Sequence, residues 1–295
     1  MTKPPLTPDE LAQGDGTTPE TDYPSYSAPP QAEPSGYVPL QSPPPEPPPA
    51  PPAPPPPRPQ LPYGLQLTSS REAGSRASLN ILIHGPSGAG KTYLAKTTGD
   101  LEHTLVLAAE PGLLTLRDVD IPVIEVTSLG VMQSVYRWLR GGDHAFRWVI
   151  LDSISEIAEQ VLVEEKKTQK DGRKAYGELA DRLTALIRAF RDLPVHVVMI
   201  SKQARTQDDV GRMLYAPSFP GQKLSQGVAY MFDEVLALRA QEGVDADGKA
   251  VVNRYLQTAH DGTSEAKDRS GALDLVELPS LSHIAGKILG TGANA

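Results

Sequence analysis

The sequence predicts an α/β protein whose sheet is mostly parallel and is flanked by helices. Three observations favour this fold. From Leu79 onward, short apolar runs alternate with segments of helix length, as parallel strands with crossover helices require. A glycine-rich loop separates the first such run from the first such helix. The last two apolar runs follow each other without an intervening helix, which predicts an antiparallel extension of the sheet.

The predicted elements follow in chain order. The apolar runs predict strands over residues 79–84, 104–109, 122–126, 147–152, 195–200, 233–239 and 251–259. The longer segments predict helices over residues 91–98, 128–140, 153–167 and 178–193. The roughly 215 residues from Leu79 to the end suffice for one sizeable α/β domain.

The first part of the chain differs sharply in composition, because 23 of the 30 prolines precede Tyr63. Residues 1–62 contain too few large apolar side chains to offset the entropy of ordering them, so we expect a disordered proline-rich tail. Residues 63–78 then form a linker to the domain at 79–295. The proline runs favour extended polyproline II, as either a semi-rigid spacer or a ligand for an aromatic-lined groove.

Composition and charge exclude several classes of protein. The chain has no cysteine, which excludes disulfides and thiolate metal sites. Neither a secretory signal nor a run of about 18 apolar residues is present, so we expect a cytoplasmic protein without a membrane partner. The net charge of −8 argues against a generally basic nucleic-acid coat, although residues 1–78 supply half of it with eight acids and four bases. Any DNA contact must come from local patches.

The segment GPSGAGKT matches the eight-residue phosphate-binding loop and lies between a predicted strand and a predicted helix. Its glycines allow backbone N–H groups to turn towards phosphate oxygens, and the helix N-terminus adds its positive dipole end. Lys91 would reach the β- and γ-phosphates, and Thr92 would bind Mg²⁺. The expected nucleotide-binding residues are Gly85, Pro86, Ser87, Gly88, Ala89, Gly90, Lys91 and Thr92.

A second motif lies in RWVILDSISEI, where an apolar run places Asp152 at the carboxyl end of a strand. Sheet proteins bind ligands at that edge. Asp152 is therefore the candidate for a further contact to Mg²⁺ or its water shell. It can also cap the helix that follows. No glutamate directly follows Asp152, so a carboxylate that activates water must lie elsewhere.

With these motifs, residues 79–289 resemble a RecA-type ATPase core, and most closely the phage nucleotide-binding proteins of that class with an AAA domain. The resemblance implies ATP and Mg²⁺ as cofactors, and Asp152 followed by Ser153 matches the family's aspartate-serine pair. A family glutamate that polarises the attacking water corresponds to Glu110 in TLVLAAEPG. A family glutamine that senses the γ-phosphate corresponds to Gln203 in VHVVMISKQAR. The segment SKQA lacks the aspartate of a guanine-binding motif, which favours ATP.

Two loops that bind single-stranded DNA in the family have counterparts here. KKTQKDGRKAYG contains a cluster of five cations suited to backbone phosphates. ARTQDDVGRMLYAPSFPGQKLSQG interleaves cations with aromatic rings, as base stacking beside phosphate contacts requires. The alternative is two mobile, charged surface loops. The candidate DNA contacts are Lys166, Lys167, Lys170, Arg173, Lys174, Arg205, Arg212, Tyr215, Phe219 and Lys223.

The segment SEAKDRSGALD resembles a lysine-x-arginine pair that reaches a neighbouring subunit's ATP in helicases like DnaB and in RecA-class relatives. Lys267 and Arg269 are the matching residues. Residues two apart on an extended strand share a face, so both cations could enter one interface. The alternative is a solvated basic turn. If the pair acts in trans, hydrolysis requires a homo-oligomer.

The resemblance implies a DNA-dependent ATPase of the single-strand annealing or recombination kind, active as a ring or short filament. The chain lacks a clear amino-terminal oligomerisation domain like that of RadA, which places filament assembly in doubt. A second hypothesis is a nucleotide-gated interaction module whose proline-rich tail docks on a protein partner. A nucleoside or nucleotide kinase is a third, although no arginine-rich lid of kinase spacing is visible.

Overall fold

The computed structural model describes residues 68–70, 74, 78–111, 113–169, 171–207 and 210–290. The predicted tail and most of the predicted linker lie outside the described residues. No helix in the described part of the chain combines the length and apolar character needed to cross a membrane.

The described residues form a mixed sheet and a separate hairpin. The strands are β1 Asn80–His84, β2 Thr104–Ala108, β3 Val123–Glu125, β4 Trp148–Asp152, β5 His196–Ser201, β6 Gln203–Gln207, β7 Met213–Pro217, β8 Glu234–Val244, β9 Ala250–Gln257, β10 Lys267–Asp268 and β11 Val276–Glu277. The α-helices are α1 Leu129–Gly141, α2 Ile154–Thr168, α3 Gly172–Arg191, α4 Gln222–Gly227 and α5 Leu281–Leu289. Short 3₁₀ helices cover Thr92–Thr97, Leu113–Leu116 and Val228–Met231.

The main sheet has the strand order β11-β9-β8-β1-β5-β4-β2-β3, with β10 paired to β8. All pairs from β3 to β8 are parallel, whereas β9, β10 and β11 add antiparallel pairs. The predicted α/β fold, with its mostly parallel sheet and antiparallel extension, is therefore confirmed. Since parallel strands share one carboxyl edge, the segments that follow β1, β2, β4 and β5 meet there.

Apolar side chains on the strands alternate between two core layers. Leu82 packs with α1, α2 and α3 on one face, whereas Ile81 and Ile83 pack with Thr92–Thr97 and α5 on the other. Strands buried on both faces explain why β1, β2 and β4 appear in the sequence as nearly continuous apolar runs.

The helix boundaries follow local signals at their ends. The side chains of Ser128, Ser153, Asp171 and Ser280 accept backbone N–H groups at the starts of α1, α2, α3 and α5. Asp171 thus starts α3 six residues before the predicted start at 178. The helix predicted over 91–98 is a 3₁₀ helix, and left-handed Gly99, with φ +76°, follows it. The β6–β7 hairpin and α5 were not among the predicted elements.

Candidate nucleotide site

The phosphate-binding loop follows β1 directly and has the backbone that its glycines allow. A Cβ on Gly85 would lie 2.6 Å from the carbonyl oxygen of Leu238, so only glycine fits against β8. Gly90 has φ +100°, a conformation that side chains disfavour. The Nζ of Lys91 donates to the carbonyl oxygens of Gly85 and Pro86, at 2.8 and 2.9 Å. The loop therefore holds its lysine close to its own backbone.

Thr92 and Asp152 meet although 60 residues separate them. The Thr92 hydroxyl donates to Oδ2 of Asp152 at 2.5 Å. Burial raises the pKa of Asp152, and Glu110 raises it further, while the Thr92 hydrogen bond and Lys91 lower it. Burial lowers the pKa of Lys91, and Asp152 and Glu110 oppose that shift. These opposing effects indicate a cation and two carboxylates within electrostatic reach of one another.

Glu110 is held next to Asp152 by side-chain and backbone contacts. The Ser153 hydroxyl donates to Oε1 of Glu110 at 2.5 Å. The N–H groups of Ala109 and Glu110 donate to the carbonyl oxygen of Asp152 at 2.7 and 3.4 Å. The peptide bond between Asp152 and Ser153 is cis. The Glu110 carboxylate therefore has a defined position beside the Thr92–Asp152 pair.

Gln203 begins β6, two residues after the end of β5, and lies beside the buried ring of His84. The Nε2 of His84 is 2.6 Å from the carbonyl oxygen of Glu265. Burial lowers the pKa of His84 to about 4, and Gln203 and the Glu265 carbonyl oppose that shift only in part. Nδ1 of His84 and Oε1 of Gln203 are both buried without a hydrogen bond of good geometry. The Gln203 side chain therefore lies between the buried His84 ring and the cavity.

These residues line one cavity of about 580 Å³. Five of the residues expected to act on a nucleotide, Lys91, Thr92, Glu110, Asp152 and Gln203, therefore surround the same space. Ala89 is buried beneath the loop instead. The full lining is Gly85, Pro86, Ser87, Gly88, Gly90, Lys91, Thr92, Tyr93, Glu110, Thr115, Asp152, Ser153, Lys202 and Gln203.

Sequence reasoning missed two cations near this cavity. Lys202 lines it directly and is the neighbour of Gln203 in SKQ, so proximity to the predicted glutamine was an available signal. Arg254, on β9, donates through Nε to the carbonyl oxygen of Ala89 at 2.9 Å. Nothing in the sequence around Arg254 indicated this contact, because it depends on how β9 folds back along β8.

Lys267 and Arg269 lie away from the cavity lining and contact the same short segment of their own chain. Nζ of Lys267 donates to the carbonyl oxygens of Ala229 and Phe232 at 2.7 and 2.6 Å. Arg269, whose side chain is exposed, pairs with Asp233 at 3.1 Å. A role towards a neighbouring subunit's nucleotide stays a prediction.

The first candidate DNA segment is a tight connection between two helices. Lys166 and Lys167 lie in the last turn of α2, and Arg173 and Lys174 lie in the first turn of α3. All four side chains are exposed, and the Lys166 ammonium lies 5.2 Å from the centre of the Tyr176 ring. Lys170 lies outside the described residues. The cations thus cluster at one end of the α2–α3 pair.

The second candidate segment forms the β6–β7 hairpin and α4. The guanidinium of Arg205 lies 5.5 Å from the centre of the Tyr215 ring, and that of Arg239 lies 5.9 Å from it. Phe219 is only 8% exposed and packs in the core, a position that does not fit the expected base stacking. Lys223 pairs with Asp181 at 3.3 Å, and Arg212, which directly precedes β7, is exposed.

Buried serines fix the base of this hairpin to the cavity wall. The Ser155 hydroxyl, on α2, donates to the carbonyl oxygen of Ser218 at 2.7 Å and lies 3.0 Å from the hydroxyl of Ser201. The N–H of Ser218 donates to the carbonyl oxygen of Lys202 at 2.8 Å. The hairpin therefore begins and ends on the segment that presents Lys202 and Gln203 to the cavity.

Comparison with known proteins gives one family. The model of a family described as AAA domain matches residues 77–270, which include the whole cavity lining. No curated protein matches the chain significantly.

Proposed function

The chain belongs to the AAA domain family of P-loop ATPases, and from this premise we propose that it binds ATP with Mg²⁺, hydrolyses the ATP and couples both steps to single-stranded DNA. The observation that supports the proposal most strongly is the convergence of Lys91, Thr92, Glu110, Asp152 and Gln203 on one cavity. These residues come from four separate segments of the chain, since Lys91 and Thr92 both belong to the phosphate-binding loop.

The side chains present fit ATP and Mg²⁺. The Thr92 hydroxyl and the Asp152 carboxylate, 2.5 Å apart, form the oxygen donor set that a hard cation prefers. Mg²⁺ would neutralise charge on the phosphate oxygens. Lys91 would exchange the carbonyl oxygens of Gly85 and Pro86 for the β- and γ-phosphates, while the loop's N–H groups bind phosphate oxygens.

Glu110 is the candidate base for hydrolysis. Its Oε1 accepts the Ser153 hydroxyl, which leaves its other oxygen, Oε2, to orient a water and receive its proton as the water attacks the γ-phosphate. Lys91 lies within electrostatic reach of Glu110 and Asp152, so it offsets part of the charge on these carboxylates before the reaction.

Single-stranded DNA is proposed as the partner because the cavity and the β6–β7 hairpin share one segment. Gln203 faces the cavity and begins β6, and Arg205 follows two residues later with Tyr215 opposite it. A cation stacked on an aromatic ring can contact a phosphate and a base together. A γ-phosphate contact at Gln203 would then change the hairpin's affinity for DNA, as expected of an annealing or recombination protein of the phage type.

Assembly would supply the final catalytic charge. Arg269 is exposed and could reach a neighbouring subunit's γ-phosphate, whereas Lys267 would first have to leave the carbonyl oxygens of Ala229 and Phe232. Such a cation in trans is worth about 10³ to 10⁵ in rate. We therefore propose a homo-oligomer, either a ring or a short filament.

The test is ATP hydrolysis at several protein concentrations, with and without unstructured single-stranded DNA, at one fixed salt concentration. Turnover per chain should rise with protein concentration and rise again with DNA. Slow turnover that ignores both would instead support the nucleotide-gated interaction module. Absence of nucleotide binding would contradict the proposed function altogether.

A further inference from the structure

The nucleotide cavity contains a second lysine besides Lys91, and the proposed chemistry gives it no role. Lys202 lines the cavity together with Gln203, and it lies between the end of β5 and the start of β6. The two lysines come from different segments of the chain. Lys91 belongs to the phosphate-binding loop, whereas Lys202 directly precedes Gln203, the candidate γ-phosphate sensor.

The main chain of Lys202 is held on both sides. Its N–H donates to the Ser155 hydroxyl at 3.0 Å. Its carbonyl oxygen accepts the Ser218 N–H at 2.8 Å and the Ser201 hydroxyl at 2.7 Å. These contacts fix the backbone, so any response of Lys202 to a ligand has to be made by its flexible side chain.

The side-chain ammonium is bound by two carboxylates on the first turns of α2. Nζ donates to Glu156 at 2.8 Å and to both carboxylate oxygens of Glu159 at 3.1 Å. All three side chains are partly solvated, with exposed fractions of 39% for Lys202, 28% for Glu156 and 49% for Glu159. Ion pairs of this exposure contribute little to stability, because water screens them, so breaking them costs little.

A terminal phosphate in the cavity would compete well for this ammonium. The γ-phosphate carries a high negative charge, so its oxygens form charge-assisted hydrogen bonds with an ammonium group that are stronger than neutral hydrogen bonds. The two glutamates remain hydrated when the lysine leaves, because they lie at the helix surface. Glu156, in the first turn of α2, also lies near the positive end of the helix dipole.

We infer that Lys202 distinguishes a nucleoside triphosphate from a diphosphate, by moving its ammonium from Glu156 and Glu159 to the γ-phosphate. The inference rests on the proposed nucleotide binding and adds a specificity residue to that site. In the triphosphate state Lys202 and Gln203 contact the same phosphate group, and both belong to the segment from which the β6–β7 hairpin starts.

The test compares the affinities for a non-hydrolysable ATP analogue and for ADP, measured by calorimetry with Mg²⁺ on the full chain. Lys202→Met should weaken binding of the analogue about 10-fold or more, as loss of one charge-assisted hydrogen bond predicts, and leave ADP within about 2-fold. The double variant Glu156→Gln with Glu159→Gln frees the ammonium, so it should tighten analogue binding and leave ADP unchanged.

Lys287→Met is the matched control, because Lys287 is also held by two carboxylates, Asp274 and Glu277, but lies outside the cavity lining. It should leave both affinities unchanged. If Lys202→Met weakens the analogue and ADP equally, or neither, Lys202 is only a structural partner of α2 and the inference is overturned while nucleotide binding stands. A wild-type chain that binds neither nucleotide would overturn the proposed function itself.

Discussion

The nucleotide cavity and the two candidate DNA segments differ in how their residues are held. In the cavity, Thr92, Asp152, Glu110 and Ser153 form a connected set of short hydrogen bonds at strand ends. In the DNA segments, Lys166 lies beside the Tyr176 ring and Arg205 beside the Tyr215 ring. A hydrogen-bond network therefore positions the residues of the cavity, whereas cations beside aromatic rings mark the DNA segments.

The largest expected effect is in the cavity. Lys91→Ala removes the cation that opposes Asp152 and Glu110, so it should abolish measurable ATP turnover. Lys249→Ala, which removes an equal charge in the exposed turn between β8 and β9, should leave turnover unchanged. Steady-state phosphate release measures both variants. Normal turnover in Lys91→Ala would show that the cavity is not the catalytic site.

A smaller effect is expected where the phosphate-binding loop packs closely against β8. Gly85→Ala places a methyl group 2.6 Å from the Leu238 carbonyl oxygen, so the loop or β8 must shift. We expect the free energy of unfolding to fall by about 1 to 3 kcal/mol and nucleotide affinity to fall with it. Gly141→Ala, in the last position of α1 with open space around it, should be neutral or stabilising. Denaturant titration and nucleotide binding give the comparison, and an unaffected Gly85→Ala would contradict the tight fit.

Stability should also respond to pH through His84, whose buried ring lies beside the cavity residue Gln203. Its pKa is about 4 in the folded chain and about 6.5 in the unfolded chain, so between these values the unfolded chain binds more protons. Stability should therefore fall as pH falls from about 6.5 to 4, by up to about 3 kcal/mol from this residue. His84→Gln, neutral at every pH, should flatten that slope in denaturant titrations.

The exposed His260, changed to Gln, serves as the control for this slope. Its removal should leave most of the pH dependence in place. A wild-type slope that persists in full in His84→Gln would show that the buried ring does not govern acid stability.

The smallest expected effect is in the α2–α3 connection. Lys166→Ala with Lys167→Ala should spare basal ATP turnover but weaken DNA binding, and lower the slope of log affinity against log salt by up to about 1.4. Arg137→Ala with Arg140→Ala removes two exposed charges from α1 and should leave that slope unchanged. An unchanged slope in the lysine pair would remove this segment from the DNA surface.

The sequence predicted which segments meet at the cavity, because nucleotide binding restricts the residue types at fixed spacing. GPSGAGKT and ILDS specify a loop and a strand end, and a parallel sheet brings such ends to one edge. The same sequence did not predict the β6–β7 hairpin, since its pairing is stabilised by buried serines distant in sequence, including Ser155. Phe219 was predicted on the surface because a loop composition alone does not show which aromatic side chain enters the core.

The prediction of helices shows the same limit. Two glycines, Gly172 and Gly177, weaken the helix signal at the start of α3, yet Asp171 caps the helix and packing of Ala175 and Leu179 stabilises it. Likewise Arg254 reaches the phosphate-binding loop only because β9 folds back beside β8. Tertiary contacts, not local propensity, determine these features.

We propose that nucleotide state in the cavity controls the affinity of the β6–β7 hairpin for DNA through Gln203. The most direct measurement is the affinity for one unstructured single-stranded oligonucleotide with a non-hydrolysable ATP analogue and with ADP, in wild type and in Gln203→Ala. We expect tighter DNA binding with the ATP analogue than with ADP in the wild type, and loss of that difference in Gln203→Ala. Equal DNA affinity in both nucleotide states of the wild type would contradict it.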